Sequence, residues 1–83
     1  MHQLAKALIE AAAFLDLSSD EVVDPDSAVS VLEQIAAELA LATPLELEVL
    51  QEVIDQKLQA SRNGAEREFY ESFFEAFGLD DRT

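Results

Sequence analysis

The groups in this sequence that could do chemistry are carboxylates, one histidine and a few serines. Eighteen Asp and Glu residues stand against five Lys and Arg, one His and no Cys, for a formal net charge of −13. One histidine without thiolates does not make a tetrahedral zinc site. The Glu-x-x-His pairs of a di-iron bundle are also missing. His2 reads as a solvated residue next to the start of the chain. The nearest approach to a calcium loop is "DPDSAVSVLEQI", which puts Asp24 and Asp26 at the first and third ligand positions. It then fails, with Ala28 at the fifth position, Val29 where Gly is needed and Ile35 where a bidentate Glu is needed. Helix capping accounts for Asp20, Glu21, Asp24 and Asp26 better than a surface cation does. No metal and no cofactor are expected.

Catalysis finds as little support. A general acid or base needs a carboxyl of raised pKa held in a cleft. Every Glu here falls on a polar helix face or near a helix start. There is no glycine-rich phosphate loop, and no Ser has a His partner within reach. The chain is expected not to be an enzyme.

The elements that carry these groups are helices. Gly and Pro occur twice each, while 49% of the residues are hydrophobic, too many for a disordered chain. The spacing predicts an all-α, compact bundle of four helices over about 3–17, 25–42, 44–62 and 65–77. They form one domain over 1–79, with 80–83 as a frayed tail.

In the first helix Leu4, Leu8, Ala11, Ala12 and Leu15 make the apolar stripe. Ile9 and Phe14 widen it at the edges. Asp24-Pro25 is a helix start, with Asp as N-cap and Pro at the first helical position. The second helix, "PDSAVSVLEQIAAELALA", shows apolar side chains on most of its surface and belongs in the centre of the fold or in an oligomer interface. "TPLE" is a capping box, with Thr43 as N-cap and Glu46 three residues on. Leu47, Leu50, Ile54 and Leu58 stripe the third helix, whose outer face carries Glu48, Glu52 and Asp55.

Asn63-Gly64 is expected to end the third helix in a left-handed cap, and Gly78 the fourth, with Leu79 folding back on Phe74. The fourth helix contains "AEREFYESFFEAFGL". A helical wheel puts Phe69, Phe73, Phe77, Tyr70 and Phe74 on an arc of about 140°, opposite Glu68, Glu71 and Glu75. Phe69, Phe73 and Phe77 are expected to line the core. Tyr70, at the edge and with a hydroxyl to satisfy, is expected to begin a partner surface.

Asp26-Ser27-Ala28 at the start of the second helix resembles acyl carrier proteins, which are small, acidic and four-helical. Their attachment serine lies in Asp-Ser-Leu at the same place. The resemblance covers three residues and implies a phosphopantetheine attachment role for Ser27. The chain departs from that family in Ala28, in lacking Gly before Asp-Ser, and in its long third helix. In length, acidity and helical content the chain also resembles colicin-type nuclease immunity proteins. That likeness lies in bulk properties and carries over no residue roles.

A charge of −13 repels phosphate backbones and anionic bilayers. Neither nucleic acid nor a membrane is an expected partner. A field of this sign draws cations and basic protein surfaces. The expected function is therefore a small protein-binding domain, an inhibitor of immunity-protein or antitoxin type acting on a basic partner. Its contact residues would be Glu48, Glu52, Asp55, Glu68, Tyr70, Glu71 and Glu75. The alternative is a structural or regulatory homodimer that buries Phe14 and Ile9. The absence of Cys, of a signal-like start and of a long apolar run points to a bacterial-type cytoplasmic protein.

Overall fold

A computed structural model describes residues 2–79. Among them are five helices: α1 (His2–Leu17), α2 (Pro25–Leu39), α3 (Pro44–Ala60), α4 (Gly64–Glu71) and α5 (Phe73–Ala76). There is no strand among the described residues, so the fold is all-α. The expected frayed tail, 80–83, lies outside them.

The helix starts follow their caps. The Asp24 carboxylate accepts the Ser27 backbone N–H at 2.9 Å. The α3 capping box is complete: Thr43 Oγ1 accepts the Glu46 N–H at 3.2 Å, and Glu46 Oε1 accepts the Thr43 N–H at 2.8 Å. Each bond satisfies a backbone donor that the first helical turn leaves without a partner.

Two expected boundaries are corrected. Asn63-Gly64 is not a left-handed C-cap, because Gly78 is the one residue with positive φ among those described. Asn63 is instead the N-cap of α4, its Oδ1 accepting the N–H groups of Ala65 and Glu66 at 2.9 and 3.1 Å. The end of α3 is satisfied from across the corner. Arg67 Nη1 donates to the carbonyls of Leu58 and Ser61 at 2.8 and 3.3 Å, placing a cation on the negative end of the helix.

The fourth helix is also not continuous over 65–77; it breaks at Ser72. The Ser72 hydroxyl donates back to the Glu68 carbonyl at 2.8 Å, a bond that bends helices. The break re-aims the second half of the aromatic stretch. Beyond it, the Leu79 N–H reaches the Phe74 carbonyl at 2.7 Å and the Gly78 N–H reaches that of Glu75 at 3.1 Å. These two bonds, with Gly78 at φ 70°, make the expected Schellman turn.

The core lies between α1, α3 and the α4–α5 arm. Ile9 and Ala12 meet Leu50, Val53 and Ile54, and the arm adds Phe69, Tyr70, Phe73 and Leu79. Phe73 stands at its middle, its ring edge-on to Phe69 at 5.6 Å and tilted against Phe77 at 4.5 Å. Of the two places expected for α2, the centre of the fold or an oligomer interface, the centre of the fold is overturned. α2 packs on α1 and on no other helix. Ala28 is its one buried residue, and Leu32 and Leu39 touch the core only from the side.

Candidate functional site

α1 packs against both α2 and α3, while α2 and α3 do not pack on each other. The result is a groove of about 680 Å³ with α1 as its floor and α2 and α3 as its walls. Leu4 and Leu8 come from α1, Val31 and Ile35 from α2, and Leu47 and Leu50 from α3. The α2 residues that dock on α1 are Ala28, Leu32 and Leu39. Val31 and Glu38 fall roughly 80–100° to one side of that stripe on the helical wheel. This is why α2 reads as apolar nearly all round: one stripe is used for docking and its neighbour lines the groove. The mouth is strongly exposed, Leu4 at 75% and Leu41 at 79%.

The polar groups at this groove are Gln34, Glu38 and Glu46. Glu46 is tied into the capping box. The N–H of Thr43 holds its carboxyl below the usual carboxylate range, as the N–H of Ser27 does for Asp24. Glu38 sits in the last turn of α2, where there is no basic residue. Glu38 makes no ion pair with a Lys, Arg or His side chain among the described residues.

The acids expected to contact a partner remain on the surface but do not converge. Glu48, Glu68 and Glu75 are exposed and make no ion pair among the described residues. Glu52 accepts a 2.7 Å hydrogen bond from His2 Nε2, so His2 is a tether between α1 and α3 rather than a free terminal residue. Asp55 accepts from Gln51 at 2.9 Å. Glu71 lies 3.7 Å from Arg67 along α4. No group of three or more acids or histidines among the described residues could hold a metal ion.

Three expectations about apolar or aromatic contact residues change or sharpen. Ile9 is fully buried; it faces α3 inside the core and offers nothing to a second copy. Tyr70 is 8% exposed and belongs to the core cluster, its ring 5.6 Å from Phe69. It therefore does not open a partner surface, because the arm folds that edge inward. Phe14 does stand out, 56% exposed. With Leu17, Lys57, Ser61, Glu66 and Tyr70 it borders a second hollow of about 490 Å³, across which Lys57 reaches Glu10 at 3.1 Å.

Ser27 is exposed in the first turn of α2, its hydroxyl donating to Asp24 at 2.9 Å. The sequence reading did not identify the groove. Its signal was the doubled apolar stripe of α2, which more than one packing partner is needed to cover. No helix among the described residues is long and apolar enough to cross a membrane. No protein-family model, curated protein or solved structure matches the chain.

Proposed function

We propose that this chain is a protein-binding domain that acts by contact rather than catalysis. Its partner is a basic protein, and its role is that of a cytoplasmic inhibitor of immunity-protein or antitoxin type. The observation that supports this reading is the state of the carboxylates. Only Glu10, Glu52 and Glu71 pair with a basic group among the described residues, while the whole chain carries −13. Such an unneutralised surface accelerates encounter with a basic surface and rejects acidic competitors.

Stopped-flow association with a purified basic candidate partner, such as the product of an adjacent gene, tests the reading. The rate should fall by about tenfold or more between low and physiological salt. Reversing Glu48, Glu68 and Glu75 to Lys together should slow association without unfolding the domain. A rate indifferent to both treatments, or no association at all, sinks the reading.

A homodimer is the second reading, favoured by the exposure of Phe14 next to the partly exposed Leu17. Light scattering separates the two. A monomer at high concentration removes the dimer, while a salt-resistant dimer that weakens in Phe14→Ser supports it.

A further inference from the structure

The hollow beside Phe14 is framed on the well-packed side of the molecule. α1, α3 and α4 each pack against the other two, and the hollow lies where they meet. Its volume of about 490 Å³ is within the range of about 300–1,000 Å³ typical of ligand pockets. One side is apolar and open, with Phe14 56% and Leu17 37% exposed. The other is polar. Lys57 reaches Glu10 at 3.1 Å, and the Ser61 hydroxyl donates to Glu66 at 3.1 Å.

Two groups in this hollow are left unanswered by the chain itself. The first is the Tyr70 hydroxyl. The Tyr70 ring is packed in the core and the residue is 8% exposed, so the ring offers no surface. Its hydroxyl makes no hydrogen bond among the described residues. No side-chain nitrogen or oxygen among them is both sealed from the outside and without a partner. The hydroxyl is therefore open, and the hollow is the space that Tyr70 lines. A buried phenol calls for a partner at its oxygen.

The second is the Glu66 carboxylate. The hollow holds two carboxylates and one ammonium, and that ammonium is paired with Glu10. Glu66 is half-buried and makes no ion pair among the described residues. The Ser61 hydroxyl fills one of the roughly four acceptor positions of its carboxylate. The nearby bases do not reach it. Arg67 is held by the carbonyls of Leu58 and Ser61, and Arg62 does not line the hollow. An anion entering here would meet Glu10 and Glu66. A neutral apolar group would leave Glu66 and the phenol unanswered. A planar cation on an apolar stem satisfies both, and its face suits the exposed Phe14 ring.

We propose that the α1–α3–α4 hollow receives an arginine side chain of the partner protein. Its stem lies along Leu17 and its guanidinium on the face of Phe14. Its N–H groups meet Glu66 and the Tyr70 hydroxyl. This deepens the proposed function and rests on its premise of a basic partner. Surface acids elsewhere steer the encounter, while an arginine anchored in a desolvated hollow sets how long the complex lasts.

The first probe is acetyl-arginine amide, titrated into the intact chain and followed by NMR. Acetyl-citrulline amide, of the same shape without the charge, and acetyl-lysine amide are the controls. The arginine probe should bind with a dissociation constant of about 1–10 mM and shift Phe14, Leu17, Ser61 and Tyr70. The citrulline probe should bind at least about tenfold more weakly, and the lysine probe about threefold. Tyr70→Phe removes one oxygen and keeps the ring in the core. Phe14→Leu, at an exposed position, removes the aromatic face. Each should weaken the arginine probe about threefold or more. With the purified basic partner, each should raise the dissociation rate by a similar factor and leave the association rate unchanged. If Tyr70→Phe loses its helical signal, Phe14→Leu carries the same test.

Absence of shifts at the hollow overturns the proposal, as do equal shifts from the arginine and lysine probes spread around Glu48, Glu68 and Glu75. Dissociation of the partner indifferent to both variants overturns it too. In each case a partner association that still slows with salt leaves the basic-partner reading standing. A self-associated chain in which Phe14 is already protected replaces the arginine with a second copy. Failure of the arginine probe together with salt-indifferent association of the partner removes both proposals.

Discussion

The two sides of this molecule are held together in different ways. On one, α1, α3 and the α4–α5 arm close around Ile9, Val53, Ile54 and Phe73, each with at most 2% of its surface exposed. On the other, α2 leans on α1 alone and buries a single alanine. Both sides are rich in apolar residues, so hydrophobic content does not tell them apart. They differ in whether an apolar stripe has a surface opposite it. The aromatic arm has one because Ser72 bends it back over the core. α2 has one for Ala28, Leu32 and Leu39 and none for Val31. Burial drives stability only where area leaves water. The arm side is therefore where the free energy of folding is concentrated, and the α2 side is where apolar surface is still available for binding.

The largest expected effect breaks the well-covered side. Phe73→Ala removes the ring at the centre of the aromatic cluster and should cost about 3–5 kcal/mol, a large share of the roughly 5–15 kcal/mol of a typical domain. Val31→Ala, on the groove wall, should cost under about 1 kcal/mol, because its methyls already meet water. Urea denaturation measures both. If the two variants lose comparable stability, the contrast between the sides is wrong and α2 is as integral as the core. Hydrogen exchange sharpens the comparison. Amides of α2 should exchange through openings of lower free energy than those of α3 around Val53 and Ile54.

A smaller effect is expected at the turn that closes the arm. Gly78 holds φ 70°, and a Cβ there would meet nothing within 4 Å. Gly78→Ala therefore incurs backbone strain alone, about 1–2 kcal/mol, without a clash. Gly64 has a similarly open surrounding and lies in the first turn of α4 without positive φ. Gly64→Ala should be neutral or slightly stabilising. Thermal denaturation of the two variants side by side checks this, and equal losses would contradict the conformational argument.

What the sequence made legible follows the range of the forces involved. Asp24-Pro25, Thr43 through Glu46 and Gly78-Leu79 are local chemistry, decided within six residues, and the structure carries out each one. Asn63 was misassigned because Asn serves both as a C-terminal left-handed residue and as an N-cap. The choice was made by Arg67, which satisfied the end of α3 and left Asn63 for the next helix. Ser72 carried a readable signal, since an aromatic arc of about 140° is wide for one straight helix to bury against a single floor. Ile9 and Tyr70 depended on distant partners. Each lay at the edge of an arc, and the neighbour that covers it comes from another part of the chain. The groove was the least legible feature: the doubled apolar stripe of α2 signals a face in need of cover, but not that α2 and α3 fail to pack on each other.

The smallest expected effect concerns the caps at the starts of α2 and α3. Asp24 and Glu46 both have carboxyls held below the usual range, chiefly by the backbone N–H groups of Ser27 and Thr43. In the unfolded chain those bonds are gone and both groups titrate near pH 4. The unfolded chain therefore takes up protons first as pH falls. The contribution of these bonds is full above about pH 4 and is lost as pH drops through the lower folded values. Protonation of the other acids relieves the self-repulsion of a strongly negative chain and acts in the opposite sense. Total stability against pH therefore mixes the two. The difference between the native chain and Glu46→Gln isolates the cap, because a protonated Glu46 and a Gln are nearly the same group. That difference should be measurable at neutral pH, shrink below about pH 4 and be reduced by salt, since both carboxylates are open to solvent. Exchange at the first amides of α3 should follow the same curve, while amides around Ile54 should not. If the gap between native and variant is constant with pH, the ionised Glu46 does not hold the start of α3.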